Sequence, residues 1–192
     1  MTTASSAQMP PQSARQRVLD VALALFTRHG YAGTSLQMIA DEMGVTKGSL
    51  YYHFRAREDL LRALVGPLIE QLRAIVEHAE AQRSPSARAE HVLTGYARLA
   101  AANRALVAVT SGDPSVVEVI HADPDWADLI SREIGLLAAV QPGLAGRVRA
   151  TIVMAGIAAT AAPGVVEADE AELCRQLIDA GRRALGLRAP RA

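Results

Sequence analysis

The sequence predicts an all-α protein, and three observations support that fold class. Apolar residues recur at helical spacing, first between Val18 and Phe26. A capping residue followed by proline marks a helix start three times, at 84–85, 113–114 and 123–124. No stretch shows the alternating β-branched pattern of a strand. Because half of the 192 residues are apolar, the chain can bury a sizeable core.

Nine helices follow from these patterns. They are predicted at 13–29, 35–43, 46–53, 57–82, 85–110, 114–120, 124–139, 144–161 and 170–185. Residues 1–12 are small, polar and proline-containing, which predicts a disordered leader. Gly66-Pro67 falls inside the fourth helix, where proline removes a backbone hydrogen bond and should kink the helix or start it afresh. Asp169 with Glu172 predicts a capping box before the last helix.

The composition narrows the cellular setting. Acidic and basic residues balance at 20 each, so the net charge does not by itself indicate nucleic-acid binding. The single Cys174 excludes an intramolecular disulfide and a multi-cysteine metal site, which fits a reducing compartment. The N-terminus lacks the pattern of a signal peptide, and no run of about 18 apolar residues occurs. We therefore expect a cytoplasmic protein without membrane contact.

Neither catalysis nor a metal site is indicated. The chain has no Gly-rich phosphate loop, no serine elbow and no His/Cys nucleophile arrangement, so we expect no enzyme and no cofactor. His121, Asp123 and Asp125, joined by His91, have the chemistry of metal ligands. However, Asp123-Pro124 is already explained as a helix start, and Asp125 suits the positive end of the helix dipole. We therefore expect no metal.

Residues 35–54 have the pattern of two short helices joined by a glycine turn. Thr34 can cap the first helix, with Gln37 at the capping-box position. Gly44 can end that helix, and Thr46 can cap the next one. This spacing predicts a helix-turn-helix.

The outer face of the second short helix predicts a partner. With Leu50 as the inward direction, Gly48 and Tyr52 lie about 160° away, and Ser49 and Tyr51 about 100° away. A solvated face usually carries Glu, Lys or Arg, so exposed tyrosines call for a partner. Double-stranded DNA fits, because a recognition helix needs short residues for close approach and hydroxyls or planar groups for base edges.

The stretch GYAGTSLQMIADEMGVTKGSLYYHFRAREDLLRAL resembles the DNA-binding signature of the TetR family of bacterial transcriptional regulators. The resemblance covers residues 13 to about 62, through the glycine-aromatic pair, the threonine-serine entry, and the IA…GV, KG.LYYHF and EDLL motifs. Ala56-Arg57 departs from the Ser-Lys that family members often carry. The resemblance implies a DNA-binding domain at 13–60 and a ligand-binding and dimerisation domain at 61–192.

Carried over by position, the resemblance implies two sets of DNA contacts. Phosphate or backbone contacts are expected from Thr34, Ser35, Lys47, Tyr51, His53 and Arg57. Base-edge contacts are expected from Gln37, Gly48, Ser49 and Tyr52, and Thr46 joins the DNA-binding set as the helix cap. Two residues have alternative roles, because Tyr51 can also be half buried against the first helix and His53 can also close its own helix. The alternative for the whole segment is a tyrosine-lined protein interface.

The resemblance also implies a small-molecule pocket within the middle helices, 57–139. The expected lining is Leu68, Leu72, Tyr96, Leu99, Asn103, Val107, Trp126, Ile130, Met154 and Ile157. Asn103 and Tyr96 are the more telling, since a polar group among apolar neighbours must find a partner. With seven aromatic residues in the chain, we expect a smallish or aliphatic-lined pocket.

Dimerisation is expected through the last two helices. A recognition helix of about two turns contacts few base pairs, so specificity calls for two copies on one DNA. The expected contact stripes are Ala150, Met154, Ala158 and Ala162 on one helix, and Leu173, Leu177, Ala180 and Ala184 on the other. Small residues let helices pack closely, and TetR relatives dimerise through such a four-helix bundle. The alternative is that these stripes form the core of the monomer.

The predicted function is that of a homodimeric repressor, released from a palindromic operator by a small molecule. Its recognition helices would lie about 34–36 Å apart. Ligand would shift the helix that begins near Arg57, with Gly66-Pro67 as hinge. The alternatives are a helical protein-interaction adaptor and a TetR-type activator.

Overall fold

A computed structural model describes residues 13–187, which form ten α-helices and, over that range, no strand. The helices are α1 (Ala14–His29), α2 (Leu36–Met43), α3 (Lys47–His53), α4 (Arg57–Glu80), α5 (Pro85–Ala102), α6 (Arg104–Gly112), α7 (Pro114–His121), α8 (Pro124–Ala138), α9 (Leu144–Ala161) and α10 (Glu170–Leu185). The all-α prediction is confirmed. The leader predicted at residues 1–12 lies outside the described residues.

The first helix is fixed at both ends by local hydrogen bonds. The hydroxyl of Ser13 accepts from the backbone N–H of Gln16 at 3.1 Å. Gly30, with φ of 74°, ends α1 and donates its N–H to the carbonyl of Phe26 at 3.0 Å. The buried face of α1 packs against α2, α4 and α6. The predicted helix-turn-helix, residues 35–54, is therefore built onto the larger helical body.

The helix predicted at 85–110 is two helices, which raises the number from nine to ten over the described residues. Asn103 interrupts it with φ −123° and ψ 38°. Its backbone N–H and its side-chain amide both donate to the carbonyl of Leu99, at 3.1 and 2.9 Å. An Asn side chain that bonds the local backbone competes with helix continuation. The amide nitrogen of Asn103 thus already donates a hydrogen bond within the fold, and its place in a ligand pocket stays a prediction.

The fourth helix runs through Gly66-Pro67 without a break, so the predicted alternative of a fresh start is wrong. Val65 and Leu68, on either side of the proline, are buried in the core, while Pro67 itself is exposed. Core packing on the inner face therefore keeps α4 continuous across the proline.

The core is centred on α5, which packs against α4, α8 and α10. Two glycines permit the close approach. A Cβ at Gly95 would meet Cγ2 of Ile75 on α4 at 2.7 Å, and a Cβ at Gly181 on α10 would collide with Leu93. Helices that approach this closely exclude bulky residues at the crossing point.

The ninth helix passes the test of length and composition for a membrane span. Core helices of soluble proteins pass the same test, so one such helix is weak evidence. Here Ala150, Val153 and Ile157 are buried, and α9 packs against α6, α8 and α10. The core therefore accounts for the apolar residues on the inner face of α9.

Candidate nucleic-acid interface

The short helix α3 is anchored by two apolar side chains. Leu50 is 1% exposed and Phe54 is 3% exposed, as the sequence predicts for the inward positions. The hydroxyl of Thr46 caps the helix by accepting from the N–H of Ser49 at 3.3 Å. The guanidinium of Arg15 on α1 lies 5.0 Å from the centre of the Phe54 ring. These contacts fix α3 from one side and leave its opposite face free.

That opposite face carries the tyrosines. Tyr52 is 85% exposed and Tyr51 is 42% exposed, so the prediction that both point outward is confirmed. The ammonium of Lys47 lies 5.5 Å from the centre of the Tyr51 ring, and the rings of Tyr52 and His53 meet edge to face at 5.2 Å. An aromatic patch flanked by a cation has the chemistry to contact base edges and phosphates.

Gly48 has no role in the fold that explains a glycine. A Cβ placed there would meet the Thr46 hydroxyl at 3.9 Å, an ordinary contact distance. Its φ is not positive, so an L-residue fits without strain. Because glycine weakens a helix by about 1 kcal/mol relative to alanine, the missing side chain points to close approach from outside.

The entry to α2 differs from the sequence prediction by one residue. Ser35, not Thr34, caps α2, and its hydroxyl accepts from the N–H of Met38 at 3.2 Å. Thr34 is 1% exposed, and its hydroxyl donates to the carbonyl of Gly30 at 2.8 Å. Its side chain is therefore unavailable to a phosphate. Gln37 is exposed, and its amide donates to Asp41 at 2.7 Å.

Arg57 also has a role other than the predicted phosphate contact. Its Nη1 donates to the carbonyls of Tyr31, Ala32 and Thr34 at 3.0, 2.9 and 3.1 Å. Its guanidinium lies 4.4 Å from the centre of the Tyr31 ring. Arg57 thus holds the 31–34 loop between α1 and α2 onto the start of α4.

A second contact, made by Asp113, holds the same loop. The sequence predicted only that Asp113 caps a helix. Oδ1 of Asp113 caps α7 by accepting from the N–H of Ser115 at 2.9 Å. Oδ2 of Asp113 accepts from the backbone N–H of Tyr31 at 2.6 Å. The loop is therefore held by α4 on one side and by the α6–α7 junction on the other. The Asp-Pro pattern indicated only the cap, because the long-range contact spans 82 residues.

The apolar stripe expected to dimerise on α9 belongs to the monomer core. Ala150 and Ala158 are buried, and Met154 and Ala162 are half-buried. The exposed apolar side chains lie on the other face, where Leu144 is 80%, Val148 47% and Ile152 62% exposed. Both faces repeat every four residues, so spacing alone does not tell them apart. On α10, Leu173 and Leu177 are buried, and Ala180 and Ala184 are exposed.

The expected pocket residues are not gathered in one cavity. Leu99 lines a groove between α4, α5 and α10, and Trp126 a cleft between α4, α7 and α8. Ile130 and Ile157 line two further clefts. The remaining expected residues are buried or half-buried in the core: Leu68, Leu72, Tyr96, Asn103, Val107 and Met154.

The helix-turn-helix and the helices on either side of it are similar to a family of known proteins. Residues 18–64 match the family model described as bacterial regulatory proteins, tetR family. The chain is 51% identical over 49 residues to the transcriptional regulator AcrR of Shigella flexneri, covering 26% of this chain and 23% of AcrR. It is 38% identical over 66 residues to the repressor KstR2 of Rhodococcus jostii, covering 32% of each protein. The matches thus span about a quarter to a third of these relatives.

Solved structures extend the similarity to the whole fold. The ketosteroid regulator KstR2 of Mycobacterium tuberculosis matches with a TM-score of 0.70 and 18% identity, over 92% of this chain and 95% of that one. AmtR of Mycobacterium smegmatis matches with a TM-score of 0.62 and 25% identity, over 95% of this chain and 90% of that one. Residues 18–64 thus match the tetR family of bacterial regulatory proteins, and the described residues share the fold of these solved structures.

Proposed function

We propose that this protein is a homodimeric transcriptional repressor that a small molecule releases from a palindromic operator. The observation that carries the DNA-binding part is the outer face of α3, where Tyr52 is 85% exposed beside Gly48 and Ser49. Lys47 and the free backbone N–H groups at the start of α2, capped by Ser35, are suited to the flanking phosphates. The relatives named as repressors support repression rather than activation.

The second subunit would pack on the exposed apolar side chains of α9 and the neighbouring α10. Leu144, Val148 and Ile152 form one continuous face, since they are spaced by one helical turn each. An apolar face of this kind is costly to leave in water. Ile152→Glu places a charge in its centre and should convert the dimer to monomer in sedimentation analysis. An unchanged mass would place the interface elsewhere.

The ligand response would act through the 31–34 loop. This loop positions α2 and α3, and it is held by Arg57 of α4 and by Asp113 at the start of α7. A ligand that separates α4 from α7 would move Arg57 away from Asp113, shift the loop, and change the spacing of the recognition helices. A coupling free energy of about 1–3 kcal/mol corresponds to a 5- to 150-fold loss of DNA affinity. One protein with this fold, FadR of Bacillus subtilis, was solved in complex with stearoyl-CoA.

Operator binding tests the proposal directly. Purified protein is titrated against the DNA upstream of its own gene and against a scrambled sequence, over a salt series. A regulator binds the upstream DNA preferentially, and its affinity falls as salt rises. Equal binding to both sequences would favour the protein-interaction adaptor, and increased transcription on binding would favour an activator. A regulator of this kind acts in the cytoplasm, where the DNA is.

Two substitutions separate affinity from specificity. Lys47→Ala should weaken binding to all sequences and lower the salt slope by about 1, because one phosphate contact is lost. Tyr52→Ala should change which sequences are preferred, because its exposed ring reads base edges. A uniform loss of affinity for Tyr52→Ala would contradict that role.

A further inference from the structure

Arg104 joins the start of α6 to the end of α9. Its Nε donates to the carbonyl of Ala161, the last residue of α9, at 2.9 Å. Its Nη2 donates to the carbonyls of Ala162 and Val166, at 3.4 and 2.7 Å. The last carbonyls of a helix have no partner within the helix, and a guanidinium can supply one. One side chain of α6 therefore holds both the end of α9 and the turn that follows it.

The place of Arg104 in its own helix does not explain the residue. Arg104 is the first residue of α6, and a positive side chain is unfavourable at the positive end of the helix dipole. The preceding Asn103 makes no side-chain capping bond there. Arg104 is also half-buried, so its long side chain has lost rotamer freedom. The bonds to the end of α9 offset these costs, which ties the role of Arg104 to the contact between the two helices.

The opposite end of α6 is tied to the 31–34 loop. The backbone N–H of Asp113 donates to the carbonyl of Val109, so Asp113 continues from the last turn of α6. Oδ2 of Asp113 accepts from the N–H of Tyr31 at 2.6 Å. The nine residues of α6 span about 13 Å, and the helix packs against both α9 and α1. It is therefore a short helix with one end held at α9 and the other at the loop that positions α2 and α3.

The turn that Arg104 holds lies beside the proposed dimer face. Val166 is 37% exposed, and it lines a groove between α9 and α10 together with Ile152. Ile152 is at the centre of the α9 face on which the second subunit would pack. A subunit docked on that face covers Val166 as well, and so restrains the turn whose carbonyl Arg104 holds.

We propose that Arg104 is a positioning residue for DNA binding, which transmits the docking of a second subunit on α9 through α6 and Asp113 to the 31–34 loop. The inference rests on the proposed function and makes the placement of the helix-turn-helix depend on dimerisation. In the dimer the turn at 162–166 is restrained, so Arg104 keeps α6 in place and Asp113 keeps its bond to Tyr31. In the monomer the turn is free to move, and each of these contacts is weaker.

Hydrogen exchange of the Tyr31 amide tests the proposal without DNA. Arg104→Met keeps an apolar stem but removes all three bonds to the end of α9. Exchange at Tyr31 should accelerate by at least about fivefold, the lower limit of common coupling strengths. The amide of Ser115, which bonds the other carboxyl oxygen of Asp113, should keep its rate. Unchanged exchange at Tyr31 would overturn the proposal.

Arg88→Met is the matched control. Arg88 is also half-buried, and its Nε donates to the carbonyl of Gln82 at 2.9 Å, in the turn between α4 and α5. Its loss removes an arginine–carbonyl bond of the same kind away from α6, so Tyr31 should exchange at the wild-type rate. Equal acceleration in both variants would show a general loss of stability and would contradict a path through Arg104. Should Arg104→Met not fold, Arg104→Lys makes the same test, because lysine keeps the charge and loses the fork of donors.

The dependence on a second subunit is tested by changing the oligomeric state. In the wild type, protection of the Tyr31 amide should rise with protein concentration through the monomer–dimer transition. In the monomeric Ile152→Glu, the amide should exchange at least about fivefold faster than in the wild-type dimer. Adding Arg104→Met to that variant should change the rate less than about twofold, because the two substitutions interrupt one path. Additive effects, or a Tyr31 rate that is independent of concentration, would overturn the proposal.

Operator affinity separates this proposal from the regulator proposal. At concentrations where both proteins sediment as dimers, Arg104→Met should bind the upstream DNA at least about fivefold more weakly than the wild type. The salt slope should stay the same, because the guanidinium bonds α9 and not a phosphate. Wild-type affinity in Arg104→Met would refute the positioning role and leave the regulator standing. If Tyr31 exchange responded as expected but the upstream DNA were not bound, the regulator proposal would fail and the coupling would stand.

Discussion

The buried acid in α8 makes the stability of the protein depend on pH in a defined way. The pKa of Glu133 is about 8 in the folded chain, against an ordinary value of 4.5, because burial disfavours the charged form. Since the folded pKa is the higher one, the stability that the proton confers is fully present below 4.5 and is lost as the pH rises through 8.

The magnitude follows from linkage. Between the two pKa values, each pH unit lowers the free energy of unfolding by about 1.4 kcal/mol. From pH 5.5 to pH 7.5 the loss from this one group is therefore about 3 kcal/mol. Glu133→Gln keeps the shape of the protonated acid but does not titrate. The variant should gain about 3 kcal/mol relative to the wild type over the same interval.

Urea denaturation followed by circular dichroism measures this difference. Both proteins are unfolded at pH 5.5, 6.5 and 7.5 at one protein concentration, because the proposed dimerisation would make apparent stability concentration-dependent. All other titratable groups are common to both chains and cancel in the comparison. The exposed Glu118→Gln serves as control and should follow the wild type. If the free-energy difference between wild type and Glu133→Gln stayed constant with pH, the carboxyl would not carry a raised pKa.

Three further substitutions test the DNA-binding segment. Gly48→Ala should stabilise the helix by up to about 1 kcal/mol, and so keep or raise the melting temperature, yet it should weaken operator binding at least tenfold. Equal operator affinity for Gly48→Ala and the wild type would contradict the proposed close approach of DNA at Gly48. Arg57→Met should cost about 2 kcal/mol in urea unfolding but leave the salt slope of DNA binding unchanged. A slope reduced by about 1 would restore the phosphate contact. Asp113→Asn keeps an oxygen for the Ser115 cap but loses the acceptor that faces Tyr31. Hydrogen exchange of the Tyr31 amide should therefore accelerate, while that of the Ser115 amide should not. Unchanged exchange at Tyr31 would show that the Asp113–Tyr31 hydrogen bond is not needed to hold the loop.

Local chemistry explains where sequence reasoning succeeded. The starts at Pro85, Pro114 and Pro124 and the cap at Asp169 follow from hydrogen bonds within three or four residues, and the structure confirms each. The outward tyrosines of α3 follow from helical geometry once Leu50 is taken as buried. Such features depend on neighbours in sequence, which are visible in the chain itself.

The sequence did not distinguish between two structures where both had equal local support. Thr34 and Ser35 are both suitable helix caps. Ser35 caps α2 because the Thr34 hydroxyl already donates to the carbonyl of Gly30. The two faces of α9 share one spacing, and only packing against α6, α8 and α10 turned Ala150 inward and Ile152 outward. Asn103 could extend a helix or end it, and its bond to Leu99 ended it.

By itself, the sequence determined the all-α class, the helix-turn-helix and the exposed face of α3, because each rests on periodicity and capping within a few residues. Only the tertiary structure decided that Arg57 and Asp113 hold one loop from two sides and that Glu133 is sealed in the core. The physical reason is range. The hydrogen bond between Tyr31 and Asp113, and the burial of the Glu133 carboxyl by the helices packed against α8, depend on residues far apart in the chain, so no local pattern encodes them.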